Sequence, residues 1–367
     1  MKSILLTGTA GFIGSNFVPY FLEKYPEYHL VNLDLLTYAG NLDNLAECKA
    51  NPRYRFIKGD ICNRELVEFI FNEYDIQGVI HFAAESHVDN SIKNPGVFVQ
   101  TNINGTFTLL DVAYKYWMEA PFKYKEQYGA ATSVAQNSPR FHHISTDEVY
   151  GTLNETDFFT EETPYAPNSP YSASKAGSDM IVRAYQETYG LNTVITNCSN
   201  NYGPKQHDEK LIPTIIAKAL AGESIPIYGD GKNIRDWLYV LDHCKGIDLV
   251  YHTGKEANVY NVGGRNERTN LQIVDRICAI LDEKVPISSR HCEKQSDAAI
   301  LKCGNLENIT SYKELITFVQ DRAGHDRRYA IDATKLETQL GWKADENFDT
   351  GIVKTIEWYL KKYEGHK

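Results

Sequence analysis

Short apolar and β-branched runs alternate with longer segments of helical periodicity through the first two hundred residues of the chain. The runs predict strands at 2–8, 29–34, 54–60, 78–84, 140–146 and 191–197. Strands that alternate with helices are typical of βαβ units, in which helices cover both faces of a parallel sheet. We therefore expect an α/β fold built on a doubly wound parallel sheet.

The regular alternation is lost beyond residue 200, where Pro- and Gly-containing segments such as NNYGPKQ and NVGGRNERTN separate the apolar runs. We expect one domain at 1–199, to which a later strand near 237–262 returns, and a smaller mixed α/β substrate lobe at 200–367. The polar, aromatic-containing segment 116–139 is predicted to be a surface loop with partial helix. Helical periodicity in the second lobe predicts helices at 208–222, 269–283, 333–341 and 349–363.

Composition narrows the functional classes. The formal charge of -10 disfavours a nucleic-acid-binding surface. The chain contains no run of about 18 apolar residues, so we expect no membrane span. The seven cysteines are scattered without a C-x-x-C pair, and MKSILLTGTAG leads into a glycine loop rather than a cleavage site, so we expect a cytoplasmic protein. His142 and His143 are adjacent on a strand and face opposite ways, so no metal site is expected there.

The segment TGTAGFIG places Gly8, Gly11 and Gly14 at three-residue intervals between the first strand and the first helix. Glycines at this junction allow a pyrophosphate to approach the amides of the helix N-terminus. Asp34 ends the second strand twenty positions after Gly14, where a carboxylate binds ribose hydroxyls and disfavours a 2′-phosphate. We expect a Rossmann-like domain that binds NAD; the alternative, that Asp34 and Asp60 only cap helices, stays open.

Tyr171 and Lys175 lie four residues apart on one face of the helix predicted from YSASKAGSDMIVRAYQETYG. A lysine one turn away, helped by an oxidised nicotinamide, lowers the pKa of a tyrosine so that its phenolate acts as a base. Tyr-x-x-x-Lys occurs six times in the chain, so its position after a strand ending in STDE selects Tyr171. In STDE, Asp147 and Glu148 reach one substrate only if the strand ends there, because neighbours on a strand face opposite sides.

Segments including TGTAGFIGSN, FAAESHVDNS, HHISTDEVYG, YSASKAGSD and IPIYGDGKNIRDWLYVLDH resemble the dTDP-glucose 4,6-dehydratases, a nucleotide-sugar branch of the extended short-chain dehydrogenases. The resemblance covers roughly residues 3–360. Related epimerases carry small residues in place of Asp147 and Glu148. The resemblance implies oxidation of the sugar at carbon 4 by NAD, elimination of water across carbons 5 and 6, and return of the hydride to carbon 6.

The resemblance also implies the role of each catalytic residue. Glu148 would be the base for the proton on carbon 5, and Asp147 the acid for the leaving hydroxyl. Tyr171 would be the base for the carbon 4 hydroxyl, Thr146 would hold the carbon 4 oxygen, and Lys175 would tune Tyr171 and bind the nicotinamide ribose. The further substrate contacts implied are Ser86, Asn200, Lys210, Leu211, Pro226, Tyr228, Arg235, Asn270, Asp321, Arg322 and His325. The cofactor contacts implied, besides Tyr171 and Lys175, are Gly8, Gly11, Phe12, Ile13, Gly14, Asp34, Leu35, Leu36, Thr37, Asp60, Ile61, Phe82, Ala83, Ala84, Glu85, Thr101 and Asn201.

The chain departs from the family pattern at Asn90, which stands where many members have arginine, at Ala323, which replaces a proline, and in the longer segment 290–318. Nucleotide preference therefore stays open. The alternatives are a dehydratase of UDP or GDP sugars, a UDP-hexose 4-epimerase, and a catalytically silent NAD-binding scaffold. The resemblance further implies a precursor of rhamnose or a related deoxysugar as the product, and a homodimer whose helices at 95–117 and 170–189 form an intersubunit four-helix bundle.

Overall fold

The structure of the chain is a computed structural model, which describes residues 1–128, 138–287, 309–321 and 327–364. Arg322, Ala323, His325 and the part 290–308 of the segment 290–318 lie outside the described residues, as does the part 129–137 of the segment 116–139. None of the helices in the described ranges has the length and apolar character that a membrane span requires. The same ranges contain no group of three or more His, Cys, Asp or Glu side chains that could hold a metal ion.

Seven parallel strands form the central sheet, with the order β3-β2-β1-β4-β7-β8-β12 when strands are numbered along the chain. They are β1 (Lys2–Thr7), β2 (Tyr28–Asp34), β3 (Tyr54–Lys58), β4 (Ile76–His81), β7 (Arg140–Thr146), β8 (Thr193–Cys198) and β12 (Asn258–Val262). The order reverses between β1 and β4, which is the point where a doubly wound sheet opens a crevice at its carboxyl ends. The predicted fold class is confirmed, and β12 returns from the second half of the chain to the edge beside β8.

Helices cover both faces of this sheet because each strand sends apolar side chains to both sides. Leu5 and Val79 pack on one side with α2 (Arg64–Tyr74), α5 (Thr106–Trp117) and α6 (Pro170–Tyr189). On the other side, strand residues such as Ile4 and Leu6 pack against α1 (Phe12–Lys24) and α8 (Val240–Thr253). Two short helices, α3 (Val88–Lys93) and α4 (Pro95–Phe98), precede a π-helical turn at Val99–Gly105, which leads directly into α5.

The second lobe packs three helices around small sheets. β10 (Ile225–Tyr228) pairs in parallel with β14 (Ile316–Val319). β11 (Ile234–Tyr239) pairs with β9 (Asn200–Tyr202), β13 (Glu267–Thr269) and β15 (Arg328–Tyr329). The helices that share this core are α7 (Leu211–Ala221), α9 (Asn270–Lys284) and α11 (Phe348–Glu364), while α10 (Thr334–Leu340) packs beside β12. β9 follows β8 after one residue and so joins the lobe to the central sheet.

The described part of 116–139 lies largely at the surface and contains the end of a helix and a 3-10 turn, as predicted, but it also forms a short hairpin that the prediction missed. α5 ends at Trp117, and a hairpin of β5 (Met118–Ala120) and β6 (Lys123–Tyr124) follows, then a 3-10 turn at Glu126–Tyr128. The aromatic side chains fix this arrangement: Trp117 is buried and its Nε1 donates to Ile76 O at 2.7 Å. Polarity suggested a loop, whereas these aromatic residues bury against the sheet.

Candidate active site

The carboxyl ends of the central strands meet at a cleft of about 330 Å³. Most of the predicted cofactor, catalytic and substrate residues line this cleft. They are Gly8, Gly11, Phe12, Ile13, Gly14, Asp34, Leu35, Thr37, Asp60, Ile61, Phe82, Ala83, Ala84, Glu85, Ser86, Thr101, Thr146, Asp147, Glu148, Tyr171, Lys175, Asn200, Asn201 and Lys210. The fold therefore brings residues that are far apart along the chain together at one continuous surface.

The glycine loop makes the floor of this cleft. Gly8 has a φ of 72°, and a Cβ added to it would lie 2.4 Å from Ala83 Cα. A Cβ at Gly14 would lie 2.4 Å from Thr9 Cα. At Gly11, the N-cap of α1, an added Cβ would meet only Gly8 O, at 3.3 Å. The first and third glycines thus permit close backbone packing, while Gly11 leaves space for a phosphate to approach the helix N-terminus.

Asp34 is held in place by main-chain donors. The amide of Ala10 donates to its Oδ2 at 2.8 Å, and the amide of Leu36 donates to its Oδ1 at 2.8 Å. Burial raises the pKa of the Asp34 carboxyl, and the two backbone hydrogen bonds oppose this. Leu36 itself does not line the cleft, because its φ of 56° turns the chain and its side chain packs beside α1. Its predicted contact is therefore limited to positioning Asp34 through the amide.

The strand that carries STDE ends at Thr146, and the next four residues, Asp147–Tyr150, form a 3-10 turn. The Glu148 amide donates to Thr146 Oγ1 at 3.3 Å and so caps this turn. The turn removes the alternation that would send Asp147 and Glu148 to opposite faces. Both carboxyl groups consequently line the cleft, as does Tyr171.

Asp147 is the more enclosed of the two acids, with 2% of its surface exposed. Burial, followed by the neighbouring carboxylates of Glu148 and Asp236, raises its pKa well above the ordinary value, and the Arg235 guanidinium only partly opposes them. Among the described residues, Asp147 Oδ2 has no hydrogen-bond partner. Burial thus favours the protonated carboxyl of Asp147, and its Oδ2 faces the cleft without a protein partner among the described residues, which suits a general acid.

Tyr171 and Lys175 lie in the first turns of α6, whose start is fixed by a capping box between Ser169 and Ser172. Burial and the carboxylate of Glu148 raise the pKa of Tyr171 well above its ordinary value, while a hydrogen bond to Thr146 lowers it. Lys175 Nζ donates to Ile144 O at 2.8 Å, on the sheet side of the helix. The main chain of β7 therefore anchors the lysine ammonium.

Several lining residues were missed by the sequence. Cys198 ends β8 and Ser199 follows it, and the other contacts were identified from the same position at the carboxyl ends of strands. This position was therefore a usable signal. Gln206, His207 and Glu209 line the cleft from the loop after β9, for which periodicity gives no signal. Asn102, in the π-helical turn, is buried and bonds both the Glu85 backbone and Ser174 Oγ.

Six predicted substrate residues lie outside the cleft lining, in the second lobe: Leu211, Pro226, Tyr228, Arg235, Asn270 and Asp321. Tyr228 ends β10, and Asp321 Oδ2 lies 2.7 Å from where a Cβ at Gly229 would stand. Asn270 joins the same region, since its amide donates to Asn233 O at 3.2 Å. Arg235 packs its guanidinium over the Tyr329 ring, 4.3 Å from the centroid. Arg235 is linked to the cleft by the effect of its charge on Asp147.

The donor set of the cleft fits a dinucleotide. The open position above Gly11 suits a pyrophosphate, and Asp34 presents a fixed carboxylate at the end of β2 for ribose hydroxyls. Tyr171 and Lys175 lie one helical turn apart on α6, and both line the cleft. Residues on this chain would therefore hold NAD along the carboxyl ends of β1, β2 and β4.

Comparison with known sequences gives one consistent result. The sequence model of a family described as GDP-mannose 4,6 dehydratase matches residues 5–355. The dTDP-glucose 4,6-dehydratase of Neisseria gonorrhoeae is 50% identical over 360 residues, which cover 98% of this chain and 96% of that protein. Similarity of this extent covers the central sheet, the STDE turn and the second lobe together.

Solved structures agree with the sequence comparison. The crystal structure of dTDP-glucose 4,6-dehydratase from Bacillus anthracis in complex with NAD has a TM-score of 0.80 and 43% identity, covering 99% of this chain and 98% of that one. The dTDP-glucose 4,6-dehydratase DesIV from Streptomyces venezuelae, with NAD and TYD bound, has a TM-score of 0.80 and 40% identity over the same shares of the two chains.

The glycine geometry predicts different outcomes at two positions with the same backbone conformation. Gly8→Ala and Gly341→Ala both place a side chain at positive φ, 72° and 74°, which costs roughly 1–2 kcal/mol. Only Gly8→Ala also forces β1 and β4 apart, because nothing lies within 4 Å of a Cβ at Gly341. We expect both variants to lose stability in urea unfolding, and Gly8→Ala alone to lose NAD during gel filtration. Equal NAD retention in the two variants would contradict the assignment of the glycine loop.

Proposed function

We propose that this chain, which belongs to the dTDP-glucose 4,6-dehydratase family of extended short-chain dehydrogenases, converts dTDP-glucose to dTDP-4-keto-6-deoxy-D-glucose. NAD is the cofactor of this reaction. The observation that carries the proposal is the 3-10 turn after β7, which brings a buried Asp147 and Glu148 to the cleft beside Tyr171. An epimerase has no use for this pair, since it eliminates nothing. A product of this kind is a precursor of rhamnose and related deoxysugars.

When bound, NAD supplies the acceptor and donor of hydride. The protein provides a base for the carbon 4 hydroxyl in Tyr171, whose phenolate is disfavoured by burial and by Glu148. The Lys175 ammonium and the positive charge of the oxidised nicotinamide oppose this effect. Thr146, which forms a hydrogen bond with Tyr171, is placed to hold the carbon 4 oxygen as its proton leaves.

Elimination needs a base for carbon 5 and an acid for the hydroxyl on carbon 6. Asp147, whose pKa is raised by burial and by Glu148, is the acid. Glu148, only partly buried, is the base. The difference in burial between the two adjacent residues supports the same roles as the family resemblance implies.

Proton balance gives Thr146 a second role. Over one turnover, Glu148 takes and returns the carbon 5 proton, whereas Tyr171 gains a proton and Asp147 loses one. The site is reset when that proton passes from Tyr171 to Asp147. The Thr146 hydroxyl donates to Asp147 Oδ1 at 3.4 Å and also forms a hydrogen bond with Tyr171, so it provides a path between the two.

The division of labour between the domains follows from the same contacts. Residues 1–199, completed by β12, would bind NAD, and 200–367 would mainly bind the nucleotide sugar. Arg235 supports this division, because its guanidinium influences Asp147 from the second lobe and has the charge to bind a diphosphate. Tyr228 and Asn270 belong to the same lobe, and we propose that they contact the nucleotide part of the substrate.

We further propose a homodimer in which α5 and α6 pair with the same helices of a second copy. Val99 and Phe107, on the helical segment around α5, are 47% and 42% exposed, and Met180 on α6 is 52% exposed. α5 and α6 pack side by side, so these apolar side chains lie on a pair of neighbouring helices. Burying such a surface against its own copy is the usual solution of a two-fold dimer.

A substrate comparison tests the proposed function. Purified protein incubated with dTDP-glucose, UDP-glucose and GDP-mannose is expected to form the 4-keto product from dTDP-glucose, measured by its absorbance after alkali treatment. Turnover of another nucleotide sugar in its place would contradict the substrate, and appearance of dTDP-galactose without a 4-keto product would indicate an epimerase.

Substitutions in the STDE turn test the catalytic roles. Glu148→Gln removes the base and Asp147→Asn removes the acid, and each is expected to lower kcat at least ~10²-fold, the usual contribution of a general acid or base. NAD content and the temperature of unfolding should stay close to those of the parent protein. Glu155→Gln, at an exposed position a few residues later, is the matched control and should leave kcat unchanged. Elimination by Glu148→Gln at the parent rate would show that another group is the base.

Charged substitutions on the exposed face of α5 and α6 test the proposed dimer. Met180→Glu combined with Phe107→Glu places charge on the exposed face of α5 and α6, and sedimentation velocity should then show a monomer at micromolar concentration. Phe69→Glu introduces the same charge at an equally exposed apolar position on α2, where 55% of the residue is accessible, and should remain dimeric. A monomeric parent protein under the same conditions would exclude the dimer.

A further inference from the structure

A buried polar pair lies on the sheet side of α6, beneath the catalytic cleft. His143 on β7 and Asp179 on α6 are both excluded from solvent. His143 Nε2 lies 3.2 Å from Asp179 Oδ1 and 3.3 Å from Lys175 Nζ. Asp179 is one helical turn after Lys175, and its Oδ2 accepts a hydrogen bond from Ser145 Oγ at 2.8 Å. The pair therefore joins the catalytic lysine to the strand that carries STDE.

The adjacent histidines of HHIST have separate environments. His142 faces the other side of β7, where its Nε2 lies 3.1 Å from Thr196 Oγ1. His143 faces α6, where the same nitrogen is shared by Lys175, Asp179 and Ser178 Oγ. Burial and the Lys175 charge lower the pKa of His143 well below its ordinary value, so the imidazole is neutral. The neutral imidazole accepts from the Lys175 ammonium at Nε2, and the Asp179 carboxylate lies 3.2 Å from the same nitrogen, so the three groups are coupled.

We propose that His143 and Asp179 position Lys175 and keep it protonated, and that they act on catalysis only through that lysine. The proposal deepens the proposed function and rests on it for its catalytic consequence. Neither residue lines the cleft, so both are positioning residues. A buried ammonium needs an acceptor and an opposite charge, and Ile144 O alone supplies only the acceptor.

The charges around Lys175 agree with this role. Burial lowers the pKa of Lys175 to about 8, and the Asp179 carboxylate is the first influence that opposes burial. Burial raises the pKa of Asp179 to about 6, so the carboxylate is ionised when Lys175 titrates. The other titratable groups that face the pair are His81 on β4, Cys198 on β8, Tyr150 in the 3-10 turn and Tyr165 in the loop before α6.

The titration of Lys175 sets the direction in which activity changes with pH. Lys175 is protonated below its pKa, so activity that needs the ammonium is present at lower pH and is lost as pH rises through about 8. Asp179→Asn removes the opposing charge but keeps an oxygen that accepts from Ser145. The pKa of Lys175 should then fall, and the alkaline limb of the kcat/KM profile should move to lower pH by on the order of one unit.

A direct measurement separates this proposal from the proposed function. Lysine labelled with 15N at Nζ gives a side-chain resonance for Lys175, identified by its loss in Lys175→Met, and its titration reports the pKa of the group without turnover. Asp179→Asn is expected to shift this titration to lower pH. Failure of the protein to convert dTDP-glucose would contradict the proposed function and leave the titration to decide the present proposal.

Matched histidine variants provide the control. His143→Leu removes the polar link to Lys175, and His142→Leu makes the same change one residue earlier on the opposite face. The first should lower the Lys175 titration and the alkaline limb, the second should change neither, and His143→Gln should restore part of the loss. Should Asp179→Asn fail to fold, this pair carries the test. Equal shifts in the two leucine variants, or an unchanged Lys175 titration in Asp179→Asn or His143→Leu, would overturn the proposal.

Discussion

The end of β7 at Thr146 is the constraint on which the site depends. A strand that continued by one residue would point Asp147 and Glu148 to opposite faces of the sheet. The 3-10 turn, capped by Thr146 Oγ1, places both carboxyl groups at the cleft and leaves the preceding Ser145 directed toward α6. One change of backbone conformation thus connects the reacting groups above the sheet with the buried groups that support Lys175.

Burial sets the protonation states throughout the site. It raises the pKa of Asp147 and Asp179, lowers that of Lys175, and keeps His143 neutral. Neighbouring charges then distinguish the groups: Glu148 opposes ionisation of Asp147, whereas Asp179 favours the ammonium of Lys175. The same low-dielectric environment therefore favours the protonated carboxyl of Asp147, whereas the ammonium of Lys175 depends on the charge of Asp179.

Periodicity was sufficient for the central sheet, because its strands are buried on both faces and their carboxyl ends meet by topology. The predicted strand ends placed Gly8, Asp34, Asp147 and Tyr171 near one cleft, although the sequence shows none of their contacts. Periodicity failed where structure depends on contacts between distant segments. The hairpin after Trp117 is fixed by burial against β4, and the link of His143 to Asp179 spans two elements whose facing sides no local pattern reveals.

We propose that hydride removed from carbon 4 returns to carbon 6 while Asp147 and Glu148 eliminate water between the two steps. Mass spectrometry and NMR of the product formed from dTDP-glucose deuterated at carbon 4 follow this transfer. We expect the deuterium in the methyl group at carbon 6 of a 4-keto sugar, without exchange with solvent. Deuterium retained at carbon 4 of a sugar that still carries its hydroxyl at carbon 6 would contradict it.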